Sequence, residues 1–100
     1  MVITALHISA DLERMAAAHL RLYEVEAVSR GEGVQLLDLW TGGRLFVIER
    51  AASQQMVTWD LLGARVAPDG CGGYVFEGGL YPFPADVRAP VLSRFRRLYR

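Results

Sequence analysis

Between Leu22 and Val66 five short apolar runs are divided by glycine-containing turns. That pattern, more than any other, confines the chain to a sheet that keeps folding back on itself. Tyr23, Val25 and Ala27 alternate with Glu24 and Glu26, the period of a half-buried strand. The segment from Ser29 to Gly33 turns the chain into a second strand, Val34 to Trp40. Thr41-Gly42-Gly43 then makes a tight hairpin into a third, Arg44 to Arg50. Ala51 to Trp59 reads as a connection, Leu62, Ala64 and Val66 alternate as a fourth strand, and Pro68 to Gly73 is a flexible loop. A fifth strand runs from Tyr74 to Glu77 and, past a bulge at Gly78-Gly79, from Leu80 to Phe83.

The two middle strands are apolar on both faces, because Leu36 and Leu37 are adjacent, as are Phe46, Val47 and Ile48. A strand wetted on one side does not look like that. Either helices cover the outer face or a second chain packs on it, and helices are available at both ends. From Ser9 to His19 the residues Leu12, Met15, Ala16 and His19 recur at helical spacing, with Ser9 as N-cap and Asp11 and Glu13 near the positive end of the dipole. Met1 to Leu6 before it reads as a short strand or an arm. From Asp86, a candidate cap, to Arg100, the residues Val87, Val91, Leu92, Phe95, Leu98 and Tyr99 form an apolar stripe edged by arginines, with Pro90 in the first turn or marking a later start.

The expected fold is therefore α+β. A five-stranded, strongly bent antiparallel sheet or partly open small β-barrel (about 20–83) is flanked by an N-terminal helix (about 9–19) and a C-terminal helix (about 86–100), all within one domain spanning residues 1–100. Tyr23, Val25, Leu36, Val47, Leu62, Ala64, Val66, Phe76 and Phe95 are its expected core.

Composition excludes more than it assigns. Eleven basic residues, all arginine, balance eleven acidic ones, so no global field draws in nucleic acid or an acidic membrane. One cysteine, Cys71, permits no internal disulfide and no paired-cysteine zinc site. The apolar start runs into the charged stretch from Asp11 to Arg14 without a basic leader, which reads as neither signal peptide nor membrane span, and the cytoplasm is the expected compartment.

The succession Leu22-Tyr23-Glu24-Val25, Gly31 to Gly33, Leu36 with Asp38-Leu39, Thr41-Gly42, Val47, Ala52-Ser53, Asp60 and Ala64-Arg65-Val66 resembles a small β-rich accessory module of bacterial SEC-C-motif proteins of unassigned function. The resemblance spans Leu22 to Pro68 and implies an exposed Ala-Ser step and a non-catalytic role. The zinc-binding cysteine cluster that names those proteins is absent from this chain.

No nucleophile, base and stabilising group assemble from the sequence, so no enzyme activity, catalytic residue, metal or cofactor is expected. His19 falls on the apolar stripe and reads as a packed, hydrogen-bonded side chain rather than a partner of His7 in a metal pair. Cys71 lacks a neighbouring base. Asp38 is expected to bond turn amides and Asp60 to end the loop before its strand, with Arg44 and Arg65 as candidate ion-pair partners. The first functional reading is a protein-interaction module, self-associating or binding another protein through Leu37, Leu39, Trp40 and Trp59. The alternative is nucleic-acid binding through Arg94, Arg96, Arg97 and Arg100, with Trp40 or Tyr74 for stacking.

Overall fold

The strand β1 (Arg21–Ser29) sends Tyr23 and Val25 to one side and Leu22 and Glu24 to the other, and both sides are buried. In the computed structural model, which describes residues 5–98 and no side chain of residues 5–9 or 11, this strand is the divider between two cores. Around it curls a seven-stranded half-barrel in an α+β chain. β2 (Gly33–Asp38), β3 (Arg44–Ile48), β4 (Leu61–Ala64), β5 (Val66–Pro68), β6 (Tyr74–Phe76) and β7 (Tyr81–Phe83) complete the sheet in the order β5-β6-β3-β2-β1-β4-β7.

Seven strands replace the expected five because two of the runs are interrupted. Leu61 to Pro68 breaks at Arg65, so that β4 pairs with β1 while β5 pairs with β6 at the opposite edge of the sheet. One run of chain thereby joins the two sides of the curl, and Glu77 N–H donates to Arg65 C=O at 2.9 Å beside the corner. Gly78 and Gly79 divide β6 from β7 in the same way, where the sequence predicts a bulge within one strand. The sheet is mixed rather than wholly antiparallel, since β3 and β6 run parallel.

Tyr23, Val25, Val34, Leu36, Val47, Leu62 and Ala64 fill the concave side, with Val66 and Phe76 partly buried at its margin. On the other side Leu22, Leu61 and Phe83 meet Leu12 and Met15 of α1 (Ala5–Ala17) and Val91, Leu92 and Phe95 of α2 (Arg88–Leu98). The helices cover β1, β4 and β7 and leave Phe46 and Ile48 on the outer face of β3 exposed. A register shift at Val25/Ala27 sharpens the curl of β1. The loop beyond it is tied down by Ser53, which the resemblance placed in an exposed step but which is fully buried. Its hydroxyl donates to Arg50 C=O and accepts from Gly31 N–H.

Both helices differ from their expected limits. α1 starts at Ala5, so Ala5 and Leu6 are helical, Ser9 lies inside the helix, and no cap at Ser9 is needed; Met1 to Thr4 lie outside the described residues. It ends two residues early because His19 adopts φ +60. Leu20 N–H bonds Met15 C=O at 2.8 Å and His19 N–H bonds Ala16 C=O at 3.0 Å, the pairing of a Schellman terminus with Leu20 and Met15 in the same apolar cluster. His19 is thus exposed rather than packed at the core edge, since this terminus turns the side chain away from the stripe. At the other end Ala85–Val87 forms a 3-10 turn leading into α2, and Asp86 lies in that turn rather than capping through its side chain.

A glycine at position 33 is required by close approach, because a Cβ there would lie 2.1 Å from Val47 C=O and against the Phe46 ring. Gly33→Ala should destabilise the fold by about 3 kcal/mol in urea unfolding, the upper range for overpacking, while Gly79→Ala, in open space, should change it little. His19→Gly should stabilise by about 0.5–1 kcal/mol, because a left-handed non-glycine residue carries a backbone cost that glycine lacks. An unchanged unfolding midpoint in the last variant would count against the left-handed terminus.

Candidate functional site

Glu24 faces the helices from a strand that is otherwise apolar at that level, and at 7% exposure its charge requires a partner. Arg88, the first residue of α2, supplies it through Nη2. The same guanidinium donates from Nε to Trp59 C=O at 3.1 Å and lies 5.5 Å from the Trp59 ring centroid, a cation–π contact. Trp59 is held from below as well, its N–H donating to Val25 C=O at 2.8 Å. Asp60 closes the turn beneath it, Oδ2 accepting from Val57 N–H at 2.9 Å and its own N–H reaching Val57 C=O at 3.1 Å, the loop-ending role expected for it. The outcome is an indole 62% exposed on a residue at φ +82. Such a conformation costs a bulky residue about 1–3 kcal/mol.

A second carboxylate, arginine and tryptophan stand nearby, with Asp38 of β2 opposite Tyr23, the residue before Glu24. Asp38, 5% exposed, accepts from Trp40 N–H at 2.8 Å and Thr41 N–H at 3.2 Å on Oδ1, as expected of a residue bonding turn amides. Its Oδ2 accepts from Arg21 Nη1 at 2.8 Å, so the partner is Arg21 rather than Arg44 or Arg65. Arg44 pairs instead with Glu26. Asp38 holds Arg21 above the ordinary arginine range, by hydrogen bond first and charge second. Arg21 lies 5.9 Å over the Trp40 ring, which also approaches Phe95 edge-to-face at 5.5 Å.

The four interface residues expected from sequence are therefore divided. Trp40 is 42% exposed but backed by Phe95 and Arg21, Leu39 packs against the helix-side core, and Leu37 is half-buried on the outer face of β2. Of the four, Trp59 projects furthest, and Val57, which the sequence did not single out, is exposed near it in the chain. Beside them opens a cleft of 410 Å³ at one mouth of the half-barrel, lined by Ala52, Met56, Leu62, Leu80, Pro82 and Pro84 among others, with Asp60 as its carboxylate. Pro82 has no N–H to offer at the free edge of β7, which discourages addition of a further strand there.

The basic helix is less assembled than its sequence implied. Arg96 and Arg97 are exposed, Arg94 is half-buried, and Arg88 is bound to Glu24. Arg100 and Tyr99 lie outside the described residues, as does the side chain of His7. Phe95 is buried in the helix-side core, which withdraws it from stacking on a base, and Tyr74 stands exposed on β6. Cys71 is exposed in a loop shaped by Asp69, whose Oδ1 accepts from Cys71 N–H and Gly73 N–H and whose carboxyl is held below its ordinary value by those bonds. Among the described residues no group of His, Cys, Asp and Glu is placed to hold a metal ion, and no helix is long and apolar enough to cross a membrane.

Glu24 and Arg88 had a faint sequence signal, a carboxylate between two core residues and an arginine opening an apolar helix. The positive φ of Trp59 had none. No protein-family model, curated protein or solved structure matches the chain.

Tyr23 provides a check on the buried carboxylate beside it. Burial of the ring raises its phenol above the ordinary value of 10.0, Asp38 raises it further, and Arg21 lowers it. The folded chain holds this proton more tightly than the unfolded chain, so the contribution is complete below pH 10 and is lost as pH rises from there through the folded-state value. Tyr23→Phe should flatten the alkaline fall in urea-unfolding free energy above about pH 10. A profile identical to that of the parent chain would show that Tyr23 titrates as a solvated phenol.

Proposed function

We propose that the chain is a non-catalytic interaction module that self-associates through the Trp59 knob and the apolar cleft beside it. The observation that carries this reading is the expense at which Trp59 is exposed: a left-handed backbone, a cation clamped over its ring, and a buried carboxylate assigned to the clamp. An indole folded back on the sheet would bury its area without that strain. An indole presented to a partner gains on association what it forgoes in the monomer.

The second copy is favoured as occupant because knob and hollow lie on one surface and complement each other. The cleft is mainly apolar and carries the Asp60 carboxylate, an acceptor, while the knob carries an indole N–H and the Arg88 cation. A two-fold exchange satisfies both copies at once. With about 150–250 Å² for each tryptophan and a similar area from each hollow, the exchange removes about 800 Å² before the rims. Val57 and the cleft margins bring it toward the roughly 1,200 Å² at which stable interfaces begin. Self-association of micromolar strength is the expectation. The resemblance to an accessory module supports the absence of catalysis from this reading.

Nucleic-acid binding is the competing proposal, favoured by the exposed Arg96 and Arg97, which form no ion pair with a described residue. The two separate by salt response, because phosphate contacts release counterions and an apolar exchange does not. Sedimentation velocity across a concentration series, at low and high salt and with a mixed RNA pool, should show a salt-resistant dimer that ignores RNA. Trp59→Ala should weaken it about thirtyfold, the effect of losing an aromatic hot spot, and Trp40→Ala much less. A monomer at every concentration would end the self-association reading, and an RNA complex lost in Arg96→Gln/Arg97→Gln would establish the other.

A further inference from the structure

The half-barrel has a second mouth, and its chemistry is the reverse of the first. A cleft of 210 Å³ is lined there by His19, Arg21, Tyr23, Asp38, Arg65 and the flanking Ala64 and Val66. The sheet register brings them together: Arg21 pairs with Ala64 and Tyr23 with Asp38, so all four stand on the concave face at one end of β1. Arg65 closes the far wall from the corner between β4 and β5, and His19 stands at the rim from the terminus of α1.

We propose that this cleft binds a small oxyanion, a phosphate or carboxylate group held by Arg65, Arg21 and the Tyr23 hydroxyl. Three observations carry the assignment. Arg65 makes no ion pair or side-chain hydrogen bond with a described residue, although its backbone is fixed by the corner. The one carboxylate in the cleft is already occupied, Asp38 taking two backbone N–H groups on one oxygen and Arg21 on the other. That pairing orients Arg21 and uses one of its five N–H donors, so Asp38 acts as a positioning residue for the guanidinium rather than a competitor for it.

The third observation is Tyr23. Its ring is buried in the concave core, yet no described residue bonds its hydroxyl, and no buried side-chain oxygen or nitrogen among the described residues lacks a partner. The hydroxyl therefore opens into the cleft. The raised phenol keeps it an O–H donor throughout the physiological range. Two arginines and a phenol then line one space, while the cleft's carboxylate is spent, which selects an acceptor-rich ligand. The mouth of a small barrel is a common place for such a site.

Titration of the chain with sodium phosphate at pH 7, followed by amide chemical shifts against sodium chloride of equal ionic strength, tests the assignment. Saturable shifts should appear at Arg21, Tyr23, Ala64, Arg65 and Val66. Arg65→Gln should weaken binding at least tenfold and Tyr23→Phe at least threefold, while Arg97→Gln on α2 leaves it unchanged. Because Arg65 is exposed and the Tyr23 hydroxyl has no bonded partner, both variants should keep the parent far-ultraviolet circular dichroism. Sodium acetate in a parallel titration separates the sources: saturation by acetate alone identifies a carboxylate ligand, and preference for phosphate identifies a phosphate one. Shifts reproduced by chloride, or full affinity in Arg65→Gln, would overturn the proposal. The outcome is independent of Trp59, which lies at the other mouth.

Discussion

Everything in this fold depends on β1 being buried on both faces. A strand in a two-layer arrangement hides one face and wets the other. Here Tyr23 and Val25 lie in the concave core while Leu22 lies under the helices. The double burial is possible because the sheet curls far enough to make its own interior, leaving the convex side free to receive α1 and α2. The curl in turn rests on local breaks: the register shift in β1, the corner at Arg65 and the separation of β6 from β7. Each relieves the accumulated twist of a short sheet without the strand number a full barrel requires.

Double burial also decides where charge is allowed. Glu24 on β1 and Asp38 at the end of β2 are nearly shut off from water, and each takes an arginine. Buried pairs of this kind add little net stability, because desolvation offsets most of the attraction. Their consequence is geometric. Arg88 and Arg21 are fixed where flexible surface arginines would wander, and each then meets a tryptophan ring. The two carboxylates stand one residue apart along the ladder but on opposite faces of β1, one array next to an apolar mouth and the other next to a polar one.

The half-barrel has two unlike openings, one apolar and one polar. The apolar mouth is edged by the strained Trp59, the polar mouth by the corner Arg65 and the left-handed His19. These three residues belong to turns or corners, while strand residues make up much of both linings. Turn side chains are held by the scaffold without being consumed by its core, which is why binding groups collect there.

Much of the architecture was legible in the sequence. The alternation at Tyr23, Val25 and Ala27, the glycine turn after Trp40 and the apolar stripe ending in Phe95 predict strands, a hairpin and a helix because each rests on local periodicity and turn chemistry. The same locality explains Asp38, whose turn amides lie within three residues of it. What was not legible crosses the chain: Arg88 reaches Glu24 over 64 positions, and Arg21 reaches Asp38 over 17, displacing the expected Arg65 and Arg44. The sequence by itself determined that this chain forms a curled sheet between two helices, since periodicity and turns act over a few residues. Only the tertiary structure decided which tryptophan projects and which arginines find a carboxylate, because those outcomes depend on which distant carboxylates the curl brings within reach.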